Sequence, residues 1–216
     1  MNGFEQLVVE LEGLGMISAS PRSLNLNLRH ALRDFAQSEG FEFQHDNVGN
    51  IYLTRPGTDP NLPSLGLAFA VDNPDGFVAR RGAIKTFLSL QKQTTMPCGI
   101  SLFGFSSLGG GDIGYQVWSG TATAQDALNH YPFSAVISIA KVSNVPTSYC
   151  GDLAAEHHMR VVLSSFGLEA VPINLNMQIS TRAPGLLVHG PAAVTVASAF
   201  VLSYSEYVAG MFDNFD

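Results

Sequence analysis

The chain has 216 residues, with 11 Lys and Arg against 18 Asp and Glu, a formal net charge of −7. That balance excludes a surface built to neutralise a phosphate backbone, so nucleic acid is not an expected partner. Only 13% of residues are charged and 46% are apolar, against a usual charged share of about 25%, which points to surface buried against a ligand or, preferably, a second copy of the chain.

The start, MNGFEQLVVELEG, lacks the basic and apolar blocks of a secretory leader. Ser20, Pro21 and Ser23 precede LNLNLRHALRDFAQSEG. There Leu28, Leu32 and Phe35 recur at three or four residues, which predicts an amphipathic helix ending at Gly40, with His30 at the edge of its polar face. FEFQ and NIYLTR, separated by Asp46, Asn47 and Gly49, read as a hairpin. PGTDPNLP is a loop, and SLGLAFAV is a continuous apolar run, as in a strand covered on both faces. Residues 77–92 read as a helix and GISLFGF as the next buried strand.

Gly109, Gly110 and Gly111 open an irregular region, followed by an expected short helix over Ala124–Asn129 and a strand at SAVISIA. Residues 152–166 read as a helix. VPINLNMQI and VTVASAFVLS read as two further strands, with Ser205–Phe212 as a closing helix. The longest nearly apolar stretch, Ala192–Leu202, is shorter than the ~20 residues of a bilayer span. Cys98 and Cys150 form no framework or ligand cluster and read as buried thiols. A cytoplasmic protein without membrane contact is expected. Alternating strands and helices predict one domain over residues 1–216, a three-layer α/β/α sandwich with a mostly parallel central sheet.

DNVGNIYLTRPGTDP, Asp46 to Pro60, resembles the strand pair before the metal site of the zinc or manganese aminoacylases and N-carbamoyl-amino-acid amidohydrolases. The similarity continues in order from about residue 23 to 208. It implies that family's α/β catalytic domain, here without the lid and dimerisation domain. It also implies that the metal ligands are gone. In FAVDN the family's metal-binding His falls on Ala70, while the adjacent acid remains as Asp72. Its bridging aspartate falls on Arg81, in ARRGAI. Its paired glutamates fall on Ser106 and Ser107, in GFSSLGG. The next His falls on Ala140, the family's Gly-His-Asp-Ala on Pro184 to Leu187, and its last His on Tyr204. A dinuclear site needs several His and carboxylate donors at about 2.0–2.2 Å from each ion. The expectation is therefore no metal, no other cofactor and no hydrolysis of the family type.

Three functions remain. The first is a metal-independent enzyme for a small, apolar or amino-acid-derived metabolite, performing an isomerisation or cyclisation. Asp72, Tyr204 and Ser106 would do the chemistry, and Arg81, Ser107, Asn73 and Lys141 would hold the substrate. The second is a catalytically inactive scaffold or binding subunit. The third and weakest is a serine hydrolase, in which GFSSLGG is a nucleophile elbow around Ser106 with Asp152 and His189 as partners. There Leu108 breaks the Gly-x-Ser-x-Gly pattern. Each residue also has an ordinary alternative. Asp72 suits a cap for the Asn73-Pro74-Asp75-Gly76 turn. Arg81, Lys141 and Tyr204 suit a surface. His189 suits a turn beside Gly190 and Pro191. His157 and His158, about 100° apart on a helix, cannot share one ion and read as surface or capping residues.

Overall fold

The computed structural model describes residues 21–72, 77–91, 95–106, 113–119, 133–140, 148–150, 158, 160–162, 164–165, 171–172, 185–189 and 193–212. The expected helix over Ala124–Asn129 lies outside them.

The first helix, α1, spans Pro21–Glu39. It is helical because one stripe, Leu28, Leu32, Phe35 and Ala36, can be buried together on the sheet. Gly40 ends it at φ 74°, and the Phe41 amide donates to the Ala36 carbonyl at 2.9 Å, closing the last turn. Strands β1 (Glu42–His45) and β2 (Ile51–Arg55) form the expected antiparallel hairpin. The apolar run becomes β3 (Ser64–Ala70), and α2 (Phe77–Gln91) leads back to β4 (Ile100–Phe105). Helix α3 (Ile113–Ser119) follows, in a region expected to be irregular.

The remaining strands are β5 (Phe133–Ala140), β6 (Ser148–Cys150), β7 (Val171–Pro172) and β8 (Gly185–His189). Of the helix expected over 152–166, residues 158, 160–162, 164 and 165 are described, and all are helical. VPINLNMQI contributes β7 at its first two residues, and the rest lies outside the described residues.

The largest correction is VTVASAFVLS. It is not a strand but the front of one long helix, α4, over Ala193–Phe212. A wholly apolar run suits a buried helix as well as a buried strand. Here the run is in contact with α2, β5 and β8. No helix among the described residues is long and apolar enough to cross a membrane.

The strands form one sheet in the order β1-β2-β4-β3-β5-β8-β6-β7. The sheet is mixed, with four of the seven strand pairs among the described residues parallel, β6–β7 included. Its centre, β4-β3-β5-β8, is parallel, and the β1–β2, β2–β4 and β8–β6 pairs are antiparallel. Alternation divides the side chains between two faces. Ile51, Leu53, Leu65, Leu67, Ile100 and Leu102 join residues of α1, α2 and α4 in an aliphatic core. Tyr52, Ala68, Phe103 and Phe105 point the other way and pack with Trp118 of α3. Helices thus lie on both faces, as expected for the α/β/α class. The parallel centre also aligns the carboxyl ends of β3 and β4, the edge at which sheets of this class open ligand crevices.

Candidate functional site at the carboxyl ends of β3 and β4

Just past the ladder, the Val71 amide still donates to the Phe105 carbonyl at 2.9 Å. That bond sets Asp72 beside Ser106. Both are buried, Asp72 at 1% and Ser106 at 0% exposure, and the Ser106 Oγ donates to Asp72 Oδ2 at 2.8 Å.

The bond is one link in a buried polar chain. The Ser106 amide donates to Asn50 Oδ1 at 3.0 Å. Asn50 Nδ2 donates to Asp46 Oδ2 at 3.1 Å and to the Gly114 carbonyl at 3.0 Å. Asp46 Oδ1 accepts the amides of Val48, Gly49 and Asn50 at 2.9–3.0 Å. An aspartate that folds its own turn is the reason this hairpin needs Gly49, whose φ is 100°. Gly114 closes the circuit by donating its amide to the Ser106 carbonyl at 2.7 Å. A Cβ at Gly114 would stand 2.0 Å from Asn50 Oδ1, so only glycine permits this approach.

On the other side stands Arg80, 3% exposed, whose Nη1 donates to the Val71 carbonyl at 3.0 Å. Burial pulls its guanidinium below its ordinary pKa, and the nearby Asp72 carboxylate pushes back. Arg81, expected here, is exposed. The correction is one residue on a helix. Arg80 precedes Ala83, Ile84 and Phe87 by three, four and seven residues and shares their buried stripe, whereas Arg81 is turned about 100° from it.

Tyr204 is not brought to this cluster. It lies on α4, ring against Phe200, Tyr207 and His158 at 5.1–5.6 Å. Its neighbour Ser205 accepts the Cys98 amide at 2.9 Å, at the opposite end of β4 from Ser106. His158 is half-buried among those aromatic rings, with Nε2 2.9 Å from Ser203 Oγ, not a free surface residue. His189 is the last residue of β8, not a turn residue. Two strands separate β8 from β4, so His189 and Ser106 stand on backbones about 14 Å apart, at ~4.8 Å per strand. The structure therefore does not pair them. Asn73, Ser107, Lys141 and Asp152 lie outside the described residues. The sequence reading missed Asn50 and Arg80 and took Asp46 for a turn residue only. The spacing of Asp46 to Asn50 within a single turn was the available signal.

Matched against protein-family models and against curated proteins, the sequence finds no counterpart. Solved structures do match. A hydantoinase/carbamoylase-family amidase from Burkholderia vietnamiensis superposes with a TM-score of 0.73 at 10% identity, over 94% of this chain and 97% of that one. One from Burkholderia multivorans gives 0.71 at 9%, over 94% and 98%. The chain has the hydantoinase/carbamoylase amidase fold. The LapA aminopeptidase of Legionella pneumophila also shares it, with a TM-score of 0.62 at 12% identity over 94% of this chain and 71% of that one.

Within the amidase fold, Ala70 and Ala140 end neighbouring parallel strands, two residues beyond the paired Ala68 and Ser138. These are positions at which the resemblance expects metal-binding histidines, and a methyl group offers no donor. Asp72 is engaged by a hydroxyl and lies beside a guanidinium, which repels a cation. Among the described residues no three His, Cys, Asp or Glu side chains converge on a common point. The described residues do not fit a dinuclear metal centre.

Proposed function

We propose that this chain descends from a metal-dependent hydrolase and now acts by binding, as a catalytically inactive scaffold or subunit in a homo-oligomer. The observation that carries this reading is the 2.8 Å bond from Ser106 to Asp72, with Arg80 beside it, all three buried. The charge that a metal once neutralised is now met from within the protein. A buried carboxylate is costly unless hydrogen-bonded and paired, so this arrangement stabilises the fold. It leaves little room for a substrate oxygen. On this reading residues 141–184, which lead from β5 through β6 and β7 to β8, stand in place of a lid domain, and the low charge content suits a surface covered by a second copy. Equilibrium titration with zinc and with manganese, followed by assay against N-carbamoyl and N-acyl amino acids, tests it. No stoichiometric binding and no turnover are expected. A bound metal pair whose removal abolishes amide hydrolysis overturns the proposal.

A second reading has one observation in its favour. A hydroxyl already aligned on a buried carboxylate is how a proton shuttle would be primed. On this reading the cleft is a metal-independent active site for isomerisation or cyclisation of a small metabolite. Asp72 and Ser106 would transfer protons, and Asn73, Ser107 and Lys141 would lie nearby. Tyr204, whose neighbour Ser205 binds at the opposite end of β4, and the exposed Arg81 would have no part in it. Metabolite profiles of cells carrying the wild-type chain and Asp72→Asn distinguish the two. A metabolite that appears only with the wild type supports the enzyme and removes the scaffold.

A further inference from the structure

A groove of about 430 Å³ lies beside this site, between α1 and the β1–β2 turn, lined by Asn25, Leu26, Arg29, His45, Asp46, Asn47, Val48 and Gly49. Its size falls within the roughly 300–1,000 Å³ of small-molecule sites. Asn25 and Arg29 are four residues apart on α1 and so share one face. His45 reaches the groove from the end of β1.

The one carboxylate in the groove is already committed. Asp46 takes three backbone amides on one oxygen and Asn50 on the other. Arg29 makes no hydrogen bond or ion pair among the described residues, and His45 makes only a ring contact with Phe43. Asn25 is 5% exposed and donates from Nδ2 to the Gly49 carbonyl at 3.3 Å, which leaves the second hydrogen of Nδ2 for another acceptor. A buried amide nitrogen, a half-buried guanidinium with no partner among the described residues and an exposed imidazole thus share one concavity. Leu26, 52% exposed, and Val48 supply an apolar flank.

We infer that this groove binds a small carboxylic acid with a short hydrocarbon tail. The planar fork of Arg29 takes the carboxylate through paired hydrogen bonds. Asn25, through the second hydrogen of Nδ2, and His45 hold its second edge, and the tail lies on Leu26 and Val48. The site is separate from Asp72 and stands whether or not that cleft is catalytic.

The test is calorimetric titration of the full chain with hexanoate, alongside acetate, hexylamine and inorganic phosphate. Saturable one-to-one binding of hexanoate is expected, several-fold tighter than acetate, with none for hexylamine. Arg29→Ala should weaken hexanoate about tenfold or more, since it removes a charge-assisted pair. Leu26→Ser should weaken hexanoate about fourfold and leave acetate unchanged. Both residues are at least partly exposed, so melting curves should stay close to the parent. Absence of hexanoate saturation overturns the inference. So does unchanged affinity in Arg29→Ala, or phosphate or hexylamine binding as tightly as hexanoate.

Discussion

The two ends of the parallel strands are held by different chemistry. At the amino ends the contacts are mainly neutral and mostly backbone. Thr58 and Asp59 amides donate to the Met96 and Pro97 carbonyls, Leu65 donates to Gly99, and Ser205 accepts the Cys98 amide. At the carboxyl ends the contacts run through buried side chains: Asp46, Asn50, Ser106, Asp72 and Arg80. Strands alone do not require the second arrangement, because the amino ends close without it. The carboxyl-end polar groups find their partners within the protein.

That contrast predicts a graded set of losses in chemical unfolding. Asp72→Ala should cost most, about 3–5 kcal/mol, because it strands a buried guanidinium. Asp72→Asn, which keeps an oxygen for Ser106, should cost less. Ser106→Ala should lose about 1.5–3 kcal/mol, the range for a hydrogen bond to a charged group. At the other end, Ser205→Ala leaves one backbone amide without its acceptor and should cost about 1 kcal/mol. Arg81→Ala, on the exposed side of α2, should stay within about 0.5 kcal/mol. If Asp72→Ala proves no worse than Ser205→Ala, the two ends do not differ in the way described.

Much of the fold was legible in the residues. Helix α1 and the β1–β2 hairpin carry clean periods of 3.6 and 2, and β3, β4 and β5 are short apolar runs bounded by turn residues. Helix α4 was misread because a run apolar all round has no face to reveal its period. Its β-branched residues, Val194, Thr195, Val196 and Val201, favour a strand until α2 and the sheet are there to bury a helix. Tyr204 was assigned to the crevice through the resemblance, at the place of the family's last metal-binding His, but on α4 its ring stacks on Phe200 instead. Asp72 and Ser106 were visible because each ends an apolar run. Arg80 was not, although counting three and four residues back from Ala83 and Ile84 would have chosen it over Arg81. Asn50 was legible only in part, since its spacing from Asp46 is local but its bond to Gly114 spans 64 residues.

The bond between Cys98 and Ser205 joins positions 107 residues apart, and Val196, Ala197, Phe200 and Val201 of the same helix are almost wholly enclosed. During synthesis, the first half of the sheet therefore leaves the ribosome with its oily side covered only in part, by α1 and α2. It must wait for α4 to be made before it can close. A nascent chain halted near residue 190 should be a good client for chaperones, and one released past 212 a poor one.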